Sequence, residues 1–319
     1  MSKSKPVILF LILMLCGFTS CGLIYEYPDP CPDNALTIVN DWNMAPDADP
    51  DGMAYIFYED ASDEQWRFDF PGMEAGKVTL DAGRFAFVSF NDDTFRTVIR
   101  GETYRQLKAY TLPVKLPVDI EGSEKSVEAP DMLWGCSYRE VELTDRGLRY
   151  IPADDSGTDV ESVMSPENIL TVLQRQITPH YCLIIEDVSN LSGVASMSAA
   201  LTGMAECYRF SDGYRGENPV ILAFDVGKCG ESAIEGQFCT FGIPEHPDAP
   251  NIVYLFVTLT DGRVFIYRFD VTKQVREAPD PMSVIIRLRG LELEKTEQSG
   301  GSFDVEVDGW TTVDVNITD

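Results

Sequence analysis

NIVYLFVTLTDGRVFIYRFDV, residues 251–271, decides the fold class. Val253, Leu255, Val257 and Leu259 fall on one face, and beyond Asp261-Gly262 the residues Phe265, Tyr267 and Phe269 alternate in the same way. A period of two is what a strand with one buried face requires. Asp-Gly between two such runs is the strongest short-range signal for a β-hairpin. Downstream, MSVIIRLRGLEL (282–293) and WTTVDVNITD (310–319) predict two further strands, the latter with Val313, Val315 and Ile317 on one side. Upstream, the pattern recurs in LTIVNDW (36–42), AYIFYED (54–60), QWRFDF (65–70), KVTLD (77–81), RFAFVSFND (84–92), YRQLKAYT (104–111) and MLWGCSYREVEL (132–143). Separators such as DPDG, PGMEAG and DAG supply the Gly, Pro and Asp of tight turns. The chain reads as all-β.

One segment argues locally for a helix. SPENILTVLQRQIT (165–178) offers Ser165 as N-cap and Pro166 at the first helical position, with Ile169, Val172, Leu173 and Ile177 on one helical face. Before it, residues 144–167 are acidic, small and loop-like, which sets a domain boundary there. The length of 319 residues exceeds what one average core needs, so two domains are expected: 34–145 and 146–319.

Against 25 Lys plus Arg stand 52 Asp plus Glu, a formal charge of −27. Nucleic acid is excluded as a partner, because that binding draws on cationic groups that displace counterions from phosphates. The acidity does not imply disorder, since 44% of residues are hydrophobic.

Lys3 and Lys5 precede ILFLILMLCGF, an apolar run too short to span a membrane, and it reads as a signal peptide over residues 1–20. Phe18, Thr19 and Ser20 lead directly into Cys21. This resembles the lipobox of bacterial lipoproteins, which implies cleavage after Ser20 and a diacylglycerol thioether, with added acyl chains such as palmitate, on Cys21. Acyl chains bury methylenes at about 0.8 kcal/mol each, so more than one gives firm anchoring. Residues 21–33 follow as a tether, with Pro28, Pro30 and Pro32 favouring extended backbone.

CGLIYEYPDPCP and PDMLWG (130–135) resemble the Bacteroidales fimbrium-anchor and fimbrillin-like lipoproteins. YCLIIEDVSNL, MSAALTGMAE, GQFCTFGI, LTDGRVFIYRFDVTKQV and GGSFDVEVDGW are similar to an uncharacterised family of Bacteroidales outer-membrane lipoproteins related to them. The resemblance implies two tandem transthyretin-like β-sandwiches, and it implies that ILTVLQRQIT is a strand, the reading we favour. None of these motifs is catalytic.

The remaining constellations carry little chemistry. Six cysteines follow Cys21, and an even number in an exported chain permits disulfides. Cys229 and Cys239 flank a glycine-rich turn and form the candidate pair, whereas Cys182 and Cys207 sit in apolar strands as ordinary core residues. DADPDG (47–52) begins like a calcium loop, but Tyr58 stands where the bidentate glutamate belongs, so a solvated turn is the better account. His180 and His246 lack the flanking residues of a nucleophile elbow or a metal helix. Trp42, Trp66, Trp134 and Trp310 would make a sugar-stacking platform if exposed together, though each lies in or beside a strand, where core packing is the usual fate. The expectation is a non-enzymatic outer-membrane lipoprotein without metal or cofactor. Its partners would be the membrane through the lipid and fimbrial subunits through β-strand addition, in an anchoring or accessory assembly role. A surface glycan-binding lipoprotein is the alternative.

Overall fold

A computed structural model describes residues 35–62, 64–118, 120, 125–152, 162–296 and 311–314. The hairpin at 251–271 forms: Ile252–Leu259 runs antiparallel to Val264–Asp270. Its loop holds three residues, not two. The Leu259 N–H donates to the Arg263 carbonyl (2.8 Å) and the Gly262 N–H to the Leu259 carbonyl (3.0 Å). Gly262 closes the turn at φ +85°, a left-handed conformation that L side chains resist.

In chain order the strands of the first half are β1 (Ala35–Met44), β2 (Gly52–Glu59), β3 (Gln65–Pro71), β4 (Lys77–Thr79), β5 (Gly83–Asn91), β6 (Thr97–Arg100), β7 (Lys108–Thr111), β8 (Ser126–Glu128) and β9 (Trp134–Thr144). Then come β10 (Gly147–Pro152), β11 (Val163–Ser165), β12 (Ile169–Gln176), β13 (His180–Glu186), β14 (Val194–Ala205), β15 (Cys207–Arg209) and β16 (Pro219–Phe224). The chain ends with β17 (Gly227–Cys229), β18 (Ala233–Cys239), β19 (Ile252–Leu259), β20 (Val264–Asp270), the short helix α1 (Thr272–Arg276), β21 (Ser283–Arg289) and β22 (Thr311–Asp314).

The first sheet follows the order β3-β2-β5-β9-β12-β1-β4, with β10 and β11 added beside β9. It doubles back on itself. Asn40 on β1 reaches the Tyr55 hydroxyl on β2 (2.6 Å), although three strands separate β1 from β2 in the hydrogen-bonded order. Between the two layers lie Leu36, Ile38, Tyr55, Phe57, Phe87, Tyr138, Leu170 and Val172. The outward face of β2 and β5 is buried too, by Leu107, Ala109, Tyr208, Phe210 and Phe241. Burial on both faces explains why these two strands read as continuous apolar runs, while β3, half exposed, alternates. Gly135, in the PDMLWG motif, marks the closest approach: a Cβ there would lie 2.1 Å from the Ser89 carbonyl oxygen on β5.

The second unit is a two-layer sandwich. A four-stranded sheet, β17-β18-β13-β21, faces a six-stranded one, β22-β20-β19-β14-β16-β8. Leu183, Ile185, Ile234 and Ile286 from the first meet Leu201, Leu222, Val253, Leu255, Val257 and Tyr267 from the second. The protein is therefore all-β in two sandwiches.

Segment 165–178 is a strand. β12 pairs in parallel with β1 and puts Leu170, Val172 and Gln174 inward, so the would-be helical face of Ile169, Val172 and Leu173 is split between both sides of the sheet. The Ser165 hydroxyl does accept an N–H, that of Ile169 (3.0 Å), but across a single turn with Asn168 at φ +54°. Capping chemistry here starts a strand.

The expected division at residues 145/146 does not coincide with the sheets. β10, β11 and β12 all belong to the first sheet, so the chain leaves it just before β13. The loop-like acidic stretch contains two strands, with Leu148 and Tyr150 turned into the core. The halves also exchange strands: β8 pairs with β16 of the second sandwich, and β15 pairs with β7 of the first half.

Candidate functional site: sheet edges and termini

Cys21, the cleavage site after Ser20 and Trp310 lie outside the described residues. From Cys21 to Ala35, where β1 begins, fourteen residues reach at most about 50 Å. Any membrane anchor at Cys21 thus lies within about 50 Å of the start of β1.

The Cys229–Cys239 pairing is not made. Cys229 stands opposite Ala233 in the β17–β18 ladder, and Cys239 stands six residues further along β18, opposite His180. Six strand residues span about 20 Å, whereas bridged cysteines need Cα atoms within about 7 Å. Both are free thiols, Cys229 exposed and Cys239 buried. Burial pushes the Cys136 and Cys239 thiols up to about 11, which makes them core residues and not nucleophiles.

Trp42 packs against the first core and donates its indole N–H to the Met73 carbonyl (3.2 Å). Trp66 sits edge-on to Phe85, centroids 5.6 Å apart. Both rings are half-buried against the first core. The DADPDG turn is tied down by the Asp51 N–H on the Asp93 carboxylate (2.8 Å). His180 opens β13 in its ladder, and His246 is exposed in the loop before Ile252. Among the described residues no three His, Cys, Asp or Glu side chains come together as a metal site.

Sheet edges remain. Most are short: β4, β8, β11 and β17 have three residues each, β6 and β22 four. Two long edges stand out, β3 and β21, with seven residues each. Hydrogen-bonded pairs alternate along an antiparallel ladder. The Glu59 N–H donates to the Glu64 carbonyl (2.9 Å) and the Gly72 N–H to Asp51 (2.7 Å). With the register Phe57↔Trp66, Tyr55↔Phe68 and Met53↔Phe70, it is Trp66, Phe68 and Phe70 that turn their backbone groups to β2. Gln65, Arg67 and Asp69 turn theirs outward, and no described strand pairs with that side. Pro71 has no N–H and ends the row.

The β21 edge is differently treated. Its outward-facing Arg287 is already paired: the Gln274 side-chain amide of α1 donates to the Arg287 carbonyl (3.0 Å) and accepts from its N–H (2.8 Å). The Ser283 N–H is spent on the Asp280 carbonyl (3.2 Å). No sequence pattern pointed to Gln274, because a glutamine sealing a strand thirteen residues away leaves no periodic trace.

Comparison with known proteins places the chain. A Bacteroides ovatus protein described as a candidate fimbrium anchoring subunit, Fim4B, is 24% identical over 338 residues, covering 95% of this chain and 94% of that protein. The crystal structure of a candidate adhesin from Bacteroides ovatus superposes with a TM-score of 0.59 at 24% identity, over 88% of this chain and 99% of that one. The fimbrial anchor protein Mfa2 of Porphyromonas gingivalis matches more loosely, with a TM-score of 0.43 at 13% identity over 80% and 90% of the two chains. The family model named domain of unknown function, DUF5119, matches residues 20–225, more than half of the sequence, and the chain belongs to that family.

Proposed function

We propose that the protein is a lipid-anchored, non-enzymatic subunit of a fimbria-like surface polymer. It is fastened to the outer membrane through Cys21 and takes up a partner by β-strand addition along β3. The observation that carries this is the row of outward backbone groups on Gln65, Arg67 and Asp69, with no described strand beside it. In strand addition such groups supply affinity, and alternate side chains set register. The relative described as a candidate fimbrium anchoring subunit supports the same role, as does the fold shared with the candidate adhesin. A photo-crosslinking amino acid placed at Gln65, in cells of the native host, is expected to capture a fimbrial subunit. Recovery of Gln65 crosslinks only to unrelated proteins would sink the assignment. Mass spectrometry of the mature N-terminus is expected to find an acylated Cys21 as the first residue, and an unmodified thiol there would overturn the anchor.

A further inference from the structure

Acids outnumber bases two to one in this chain, yet five of its sixteen arginines line two adjoining clefts where the sandwiches meet. The first cleft, about 480 Å³, takes Arg139 from β9, Arg105 from the β6–β7 connection and Arg209 from β15. Arg209 is spent internally: it grips Asp212 through two hydrogen bonds (2.8 and 2.6 Å) and lies over the Tyr214 ring, 4.5 Å from its centroid. Arg105 and Arg139 are exposed and form no ion pair among the described residues. Asp212 is also a wall of the second cleft, about 430 Å³, which holds Arg175 and Arg215 together with Glu245. Room for Arg215 comes from Gly242: a Cβ at that residue would lie 2.7 Å from the guanidinium.

We infer that this double cleft binds an acidic glycan, one bearing uronate carboxylates. The first cleft sets Arg105, Arg139 and Arg209 against the carboxylates of Asp60 and Asp212, so its balance is positive in an otherwise acidic protein and favours an anion. The planar guanidinium forks match carboxylate geometry. The first cleft offers a peptide little apolar anchorage, since Ala86 is its one aliphatic side chain and Ile177, Ile243 and Met282 line the second cleft alone. Peptide recognition ordinarily anchors an apolar side chain or a backbone edge. Two clefts sharing Asp212 fit a chain of repeating charges better than a single small anion. The site does not rest on strand addition, because no lining residue belongs to β3.

The test uses the whole protein and polygalacturonate, with neutral dextran and polyglutamate as comparisons, followed by titration calorimetry. Polygalacturonate is expected to bind, more weakly as salt rises, and the double variant Arg105→Ala, Arg139→Ala is expected to lose at least tenfold in affinity. Neither side chain makes a described hydrogen bond, so that variant should keep the wild-type melting temperature. A charge-keeping variant, Arg105→Lys with Arg139→Lys, should recover only part of the binding. Dextran binding as tight as polygalacturonate, polyglutamate binding as tight as polygalacturonate, or undiminished binding by the folded alanine variant would each overturn the assignment.

Discussion

Replacing Arg67 by proline tests strand addition at a single amide. The Arg67 N–H faces away from β2, so proline removes no ladder bond from the folded chain, and an edge strand tolerates proline on that side. What is lost is the side chain: ion pairs with Asp69 (2.8 Å) and Asp92 (3.2 Å), both about half exposed on the arginine side, and a position 5.9 Å over the Phe90 ring. Exposed pairs are worth about 0.2–1 kcal/mol each and an exposed cation–π contact about 0.5 kcal/mol, so the cost should be about 1–2 kcal/mol. Phe68→Pro, one residue on, removes an inward bond and a ring packed 6.1 Å from Phe57. It should cost about 4 kcal/mol or more. Urea denaturation separates the two. Arg67→Ala completes the set, because it deletes the same side chain and keeps the amide. If a partner strand pairs here, Arg67→Pro loses capture of the fimbrial subunit at least tenfold and Arg67→Ala retains it. Equal capture by the two folded variants would show that the β3 amides are not the contact.

Other consequences are checked more simply. The Tyr138 hydroxyl donates to the Thr171 carbonyl (2.8 Å) and accepts from the Leu173 N–H (2.9 Å), standing in for the ladder where β9 and β12 pair only at two positions. Tyr138→Phe should therefore cost about 2–4 kcal/mol in urea, and a loss under 0.5 kcal/mol would contradict that bridge. Of the five described thiols, Cys229 should label with a maleimide in the native protein while Cys136, Cys207 and Cys239 wait for unfolding. Hydrogen bonding to Glu235 raises the Cys229 thiol, so Glu235→Gln should speed that labelling at pH 8. Glu142 is held below the usual carboxylate range by hydrogen bonds from Arg149 and then Arg84. A carboxyl depressed in the folded state adds stability above its unfolded value of about 4.3, and that stability is lost as pH falls through the lower folded value. Melting temperatures of the wild type and Glu142→Gln should accordingly differ at pH 7 and converge in acid.

The sequence carried those elements whose pairing is local or whose face is uniform. Residues 251–271 hold their own partner, and the alternation of Val253 to Leu259 survives in the ladder with only the loop length altered. β8 was invisible for the opposite reason: its three residues are defined by Ile221–Ala223, far along the chain. The same distance hid β15 and the membership of β10, β11 and β12 in the first sheet, because which sheet receives a strand is decided by long-range pairing. Ser165 and Pro166 read as a helix start since a capped turn looks alike whatever follows it. Adjacency in sequence likewise suggested Cys229 with Cys239, but strand residues move apart at about 3.3 Å each. The β3 edge was half legible: Trp66, Phe68 and Phe70 set the face, while only the hydrogen-bond phase shows which amides point outward.

The two long edges make a controlled comparison within one molecule. On β21 the backbone of residues 284, 286 and 288 is engaged with β13, as the flanking bonds from His180 to Met282 (2.9 Å) and from Gly290 to Glu186 (3.0 Å) require. The outward Arg287 is met by Gln274 in the way a neighbouring strand would meet it. Bare edges invite pairing with other chains, and a side-chain seal is one means of preventing it. Gln274→Ala should therefore leave the Arg287 amide exchanging as fast as an exposed one while Ile286 and Leu288 stay protected, at a stability cost of about 1–2 kcal/mol. By the same reasoning the amides of Gln65, Arg67 and Asp69 should exchange fast in the isolated protein and slow down only when a partner strand is bound. Protection of those three amides in the partner-free protein would mean that β3 is already covered, and strand addition would have to find another edge.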